Sequence, residues 1–305
     1  KPRWAAQPNR RATLPPTKGR LRPLQTRRRL LTELVRVNVL IAERSGLSRR
    51  GADAAIAEGR VTSSGRSVVI GERLDPAVAL ELDGKALAAT ARAALDGEDP
   101  LDGVRLLAWN KPPGVTTTHS DPHAVITLPQ ALSGQLGADA ARILSIGRLD
   151  RESEGLLILT PERRIVSRLA HPRAGLRRGY AVLTSVPVGD VERARLLAGI
   201  RLTDGWARAV EARPLLSDEV SEIRPRGPVQ PHPSCWSFIA IAEGRHHEVR
   251  RMYGSIDRPV LRLVRIAYGP VRLGSLEVGG LREVSARERS DLGALLGAAP
   301  TAGGA

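Results

Sequence analysis

A polar loop, Gly147-Arg148-Leu149-Asp150-Arg151-Glu152-Ser153, runs into an apolar stretch that ends at Thr160. A charged rim backed by a buried strand holds a carboxylate and a guanidinium in place while leaving them reachable. Asp150 could then serve as a nucleophile or a base, and Arg148 could hold an anion. Asp150 and Glu154 also admit a paired general acid and base, as in a glycosidase. Four residues of loop leave their separation undefined, however, and a basic chain suits a neutral sugar polymer poorly. A second string, Glu243-Gly244-Arg245-His246-His247-Glu248-Val249-Arg250-Arg251-Met252, sets two histidines beside acids. Neighbouring helical residues point about 100° apart. The four-residue histidine spacing of a helical zinc site is missing, so no metal is expected. The string instead predicts a helix over 246–253, with Val249 and Met252 inward and Arg250 projecting beside them. A third string spans Trp109-Asn110-Lys111-Pro112-Pro113-Gly114. It reads as a buried strand, 106–109, ending in a stiff turn that sets backbone direction near a site.

The elements that must position these residues alternate between helical and strand periods. Strands are predicted near 156–160, 180–186 and 260–268 and after the Asp204-Gly205 turn, with helices near 162–170 and 189–199. Ahead of them, Leu34, Val37 and Ile41 share one helical face and Gly46 closes that helix. Ser48 is a good N-cap for a second helix through Glu58, with Arg49 and Arg50 in its first turn. Cations there oppose the helix dipole, a cost that makes sense if a phosphate binds at the same place. Val61, the Ser63-Ser64-Gly65 turn and Val68–Ile70 follow as a small hairpin.

Charge narrows the partner. The chain of 305 residues carries 47 Lys and Arg against 32 Asp and Glu, net +15. Residues 1–36 hold eleven basic side chains and one acid, Glu33. Residues 1–32 read as a flexible basic arm, with an Arg-rich targeting segment as the alternative. The organisation expected is that arm, a small domain over 33–82, an acidic Ala/Gly-rich linker over 83–103, a large domain over 104–292 and a flexible tail over 293–305. A helix within Ala88–Leu95 is possible in the linker. A single cysteine, Cys235, excludes an internal disulfide framework and a multi-cysteine zinc site and suits a reducing, cytoplasmic compartment. No apolar run reaches the ~18–20 residues of a membrane span. The basic excess points to nucleic acid, and no helix is laid out to read a DNA major groove.

Taken in order, the three strings resemble the RsuA/RluB type of RNA pseudouridine synthase. Gly147-Arg148-Leu149-Asp150 followed by Glu154-Gly155-Leu156-Leu157 is the most diagnostic part. His171-Pro172 and Arg265-Ile266-Ala267-Tyr268-Gly269-Pro270 also fit. Ser48–Asp53 with Glu58-Gly59-Arg60-Val61 resembles an S4-type RNA-binding domain, departing from the usual pattern at Ser63-Ser64. The resemblance implies an α+β fold: a mixed, mainly antiparallel sheet with flanking helices, preceded by a small α/β S4-type domain. It implies isomerisation of a uridine in ribosomal RNA without a cofactor, on a base extruded from its strand. The long chain resembles the large-subunit (23S) branch. A small-subunit (16S) enzyme, or a non-catalytic rRNA-binding assembly factor on the same fold, are the alternatives. By the same resemblance Asp150 is the catalytic carboxylate, Arg250 pairs with it, and Tyr180 lies against the base. The Arg178-Gly179 before Tyr180 departs from the family pattern. Arg148 fills the vacated position or holds a phosphate, and Lys111, Arg245, Arg49 and Arg50 complete the RNA-binding set. The expected partner is ribosomal RNA, free or in an assembling subunit, bound by a monomer.

Overall fold

The computed structural model describes residues 34–88, 100–120, 123–171, 174–223 and 232–297. The basic arm, all but the first residue of the helix expected over 88–95, and the last eight residues lie outside these. The chain divides into two compact units with a boundary near residue 90. Among the described residues no helix is long and apolar enough to cross a membrane.

In the small unit, helices Val37–Ser45 and Arg49–Ala57 pack through Val37, Leu40, Ile41, Ala52, Ala55 and Ile56. Gly46 closes the first helix in the left-handed region, at φ 77°, and the Ser48 hydroxyl caps the second by accepting from the Gly51 N–H at 3.0 Å. Leu34 does not join the buried face: the helix begins only at Val37, so Leu34 is exposed. The helices precede a four-stranded antiparallel sheet in the order Arg66–Ser67, Val61–Ser63, Leu80–Leu82, Lys85–Leu87. Two corrections follow. Val69 and Ile70 are exposed, outside any strand. The last hairpin turns at Asp83-Gly84, both at positive φ, so residues 83–88 belong to this unit and not to the linker.

The large unit is built on one sheet, nine-stranded among the described residues. Its main path runs Ala209–Pro214, Trp236–Ile241, Arg178–Thr184, Val260–Tyr268, Glu154–Thr160, Leu107–Lys111, Leu281–Glu283. Within this sheet all pairings are antiparallel except that of Glu154 and Gly155 with Val264 and Arg265. Strand 154–160 therefore has a divided edge. Its start pairs with strand 260–268, and its end pairs with the short strand Leu144–Ile146. Period-two alternation sends Leu157, Leu159, Tyr180 and Val182 into one core, covered by helices Leu128–Leu136, Asp190–Ala198 and Glu248–Gly254. Leu156, Ile158, Ala181 and Leu183 enter the other, covered by helices Arg163–Ala170 and Ala286–Gly297. The last helix carries the large unit to residue 297, past the expected boundary at 292, because Leu292 anchors it.

Candidate active site

The loop from Gly147 to Ser153 leaves the sheet in the fork between strands 144–146 and 260–268. Its shape is set by bonds to its backbone. Arg265, 1% exposed, donates from Nε to the Leu156 carbonyl at 2.7 Å and from Nη1 to the Arg148 carbonyl at 3.3 Å. The Thr117 hydroxyl donates to the Leu149 carbonyl at 2.7 Å and accepts from the Leu149 N–H at 3.4 Å. The Gly114 N–H, from the Pro-Pro-Gly turn, donates to the Arg151 carbonyl at 2.8 Å. Lys111 is fully buried and its ammonium donates to the carbonyls of Pro112, Arg151 and Ser153 at 2.9, 3.2 and 2.8 Å. Burial pushes that ammonium down to about 8, against the pull of Glu154, Glu152 and Asp150. Lys111 is thus no RNA contact in this structure. Leu107, Trp109 and Lys111 alternate onto one face of a buried strand, and the lysine ends inside the Gly147–Ser153 loop.

With its backbone held, the loop buries Leu149 and turns Arg148 out to solvent. Asp150 is half-buried, its side chain 33% exposed. His247 Nε2 and Ser153 Oγ both stand 3.5 Å from its oxygens. Arg250 lies in the first turn of helix 248–254, where its Nη1 donates to the Val260 carbonyl at 3.4 Å. Among the described residues it closes no ion pair with Asp150. The expected aspartate–arginine pair is therefore replaced by a histidine beside the carboxylate. His247 reaches that place from a left-handed backbone, φ 50° and ψ 30°, immediately before the helix. A non-glycine residue there carries strain on the order of 1 kcal/mol. Its ring stacks on His246 at 3.9 Å.

Tyr180 lies 7% exposed in the same core as Leu149, Val249 and Met252, on the face of the sheet that carries the loop. The Arg178 before it is buried and donates to the Ala242 and Glu243 carbonyls at 2.9 and 3.2 Å, so it steadies the segment leading to His247. Arg245 is drawn into an ion pair with Glu243 at 2.6 Å and faces Asp204 at 3.8 Å. Its guanidinium is therefore shared with carboxylates and not free for a phosphate. Glu154 is 3% exposed and held by Arg262 through bonds of 2.7 and 3.0 Å. A carboxylate so locked cannot act as the second member of an acid/base pair, which removes the glycosidase-like reading. In the small unit Arg49 and Arg50 are exposed, and neither side chain makes a hydrogen bond or ion pair among the described residues.

Residues 105–255 match the family model described as RNA pseudouridylate synthase. Over 261 residues the chain is 32% identical to an uncharacterized RNA pseudouridine synthase of Aquifex aeolicus, covering 85% of this chain and 93% of that one. The chain belongs to the RNA pseudouridine synthase family. It is also 34% identical over 261 residues to ribosomal large subunit pseudouridine synthase B of Pseudomonas aeruginosa, and 32% over 253 to the protein of that name from Haemophilus influenzae. It spans 61% and 64% of the length of those two relatives, against 84% and 82% of its own. A solved structure entitled crystal structure of pseudouridylate synthase superposes with a TM-score of 0.54 at 24% identity, over 85% of this chain and 99% of that one. The mixed α+β fold expected of the family is thus the fold observed. The sequence reading missed Arg265 and His247. Arg265 was quoted only within the resemblance, and its place between Val264 and Ile266 in an apolar run could have marked it as buried; His247 was weighed only as a metal ligand.

Proposed function

We propose that this chain converts a uridine of large-subunit ribosomal RNA into pseudouridine. The reaction is an isomerisation. The bond between N1 of uracil and C1′ of ribose breaks, the base turns, and C5 bonds to C1′; C5 loses a proton and N1 gains one. Asp150 acts on the sugar or the base in the first step, after the nucleotide is extruded from its strand. The observation that carries this reading is a half-open carboxylate whose loop is fixed by Lys111, Gly114, Thr117 and Arg265 through the backbone alone. Those bonds place the group in advance and leave its oxygens for the substrate. Tyr180, on the same face, offers a flat edge for uracil, and the exposed Arg148 is placed to meet a phosphate. Arg49 and Arg50 add phosphate contacts from the small unit. The reading includes a monomer acting where ribosomal RNA is made. The large-subunit assignment is supported by the names of the relatives from P. aeruginosa and H. influenzae.

The test is incubation with unmodified large- and small-subunit rRNA transcripts, followed by pseudouridine mapping. New pseudouridine in the large-subunit transcript is expected, and none with Asp150→Asn or Asp150→Ala although both variants still bind. Product from the Ala variant, or none from the native chain on transcript or ribosomal particle, would overturn the reading.

A further inference from the structure

Strands Ile200–Leu202 and Gly205–Ala207 form a hairpin on the catalytic side of the large unit. Ile200, Leu202 and Ala207 enter the core that also takes in Leu149 and Tyr180. Arg201 and Trp206 stand directly opposite each other on the outward face. Trp206 is 61% exposed. An indole is the largest apolar surface a side chain can offer, with a flat face free to stack. The ring is not loose. Its Cε3 lies 3.6 Å from where a Cβ on Gly199 would stand, so it rests on bare backbone with most of its surface open. Arg208, two residues on, is exposed and tethered through Nε to the Leu197 carbonyl at 2.8 Å.

The hairpin is also anchored to the site. Asp204 in its turn accepts from Arg251 Nη1 and Nη2 at 2.8 and 3.0 Å and faces Arg245 Nη1 at 3.8 Å. Arg245 and Arg251 flank His247, the residue beside Asp150. Hairpin and carboxylate therefore share one fixed helix end.

An open indole between exposed guanidiniums is the chemistry of a surface that stacks a base and holds its phosphates. A protein partner would need carboxylates opposite both arginines and a pocket for the ring. An RNA strand supplies a π-face and a phosphate at every nucleotide. We propose that Trp206 stacks on an unpaired base flanking the target uridine, with Arg201 and Arg208 on the neighbouring phosphates. This rests on the RNA reading above and adds to it a surface that decides which nucleotides beside the uridine are held.

The experiment titrates the full chain with a single-stranded oligouridylate of about twelve nucleotides and with unmodified large-subunit rRNA transcript, while following tryptophan emission. Native emission should be quenched, and most of that quenching should vanish in Trp206→Phe. Trp206→Ala should weaken binding roughly 5- to 100-fold, with Trp206→Phe in between. Arg201→Ala and Arg208→Ala should each lower the salt slope of binding by about 0.7. Trp206 lies outside the core, so thermal melting of its variants should match the native chain. Wild-type affinity in Trp206→Ala, or undiminished quenching in Trp206→Phe, would overturn the proposal. A transcript that binds through Trp206 yet gains no pseudouridine refutes the proposed reaction and supports the surface. Pseudouridine formed by Trp206→Ala at native affinity does the reverse.

Discussion

Replacing Lys111 with Met keeps the length and apolar stem of the side chain and removes its ammonium. That ammonium meets three carbonyls, two of them in the Asp150 loop. The Arg151 carbonyl keeps the Gly114 N–H, and each of the other two, left without a donor, costs on the order of 1–3 kcal/mol. Release of a buried charge offsets part of this, leaving a net loss of about 2–4 kcal/mol. A shift of ~1 Å in a reacting group costs on the order of 100-fold in rate, so kcat should fall well below the native value while RNA affinity changes little. The pH dependence sharpens the test. Burial puts the folded-state pKa of Lys111 at about 8, whereas a lysine in an unfolded chain titrates near ~10.4. Between these values the unfolded chain keeps a proton that the folded chain has released, so native stability rises with pH across that window. Over the same window the loop loses donors, so kcat falls. Lys111→Met should show neither trend. Thermal melts and single-turnover pseudouridine formation from roughly pH 6.5 to 10 measure both. Equal rates for the two chains at neutral pH, or a Met variant that keeps the alkaline decline, would refute the reasoning.

Gly155→Ala should destabilise the large unit by about 3–5 kcal/mol. The residue sits at φ +98°, and its new Cβ would lie 2.4 Å from the Arg265 carbonyl oxygen; a melt within error of the native one would contradict this. His247→Ala removes the imidazole beside Asp150 and should lower kcat roughly 10-fold or more, with His247→Gln retaining more than Ala because it can still donate. Full single-turnover activity in His247→Ala would show that the carboxylate makes no use of its neighbour.

Much of the fold was legible wherever one period dominated. The apolar run after the Gly147–Ser153 loop, the helix carrying Val249 and Met252, and the Ser48 cap all depend on neighbours in the chain; each is present, though the helix starts at Glu248 and not at His246. The family, the fold and the Asp150 loop were legible for the same reason. What escaped depended on distant partners. Lys111 looked like a surface cation until the 151–153 carbonyls closed over it. Arg250 turned to the Val260 carbonyl, and His247 took the place beside Asp150, because a left-handed residue redirects the chain before the helix. The Asp83-Gly84 hairpin did carry a local signal, but acidic, Ala-rich surroundings masked it as a linker.

The divided edge of strand 154–160 bears on how the protein comes into being. The loop bearing Asp150 takes its shape from Arg265, whose bonds to Leu156 and Arg148 span 109 and 117 positions of sequence. Contacts of such separation form late, after the entropy of a long closure has been met. A nascent chain that has emerged as far as the loop, but not yet to strand 260–268, already holds its aspartate with Lys111, Gly114 and Thr117 but lacks the two Arg265 bonds. During translation the loop therefore reaches its final shape only when nearly all of the large unit has been synthesised.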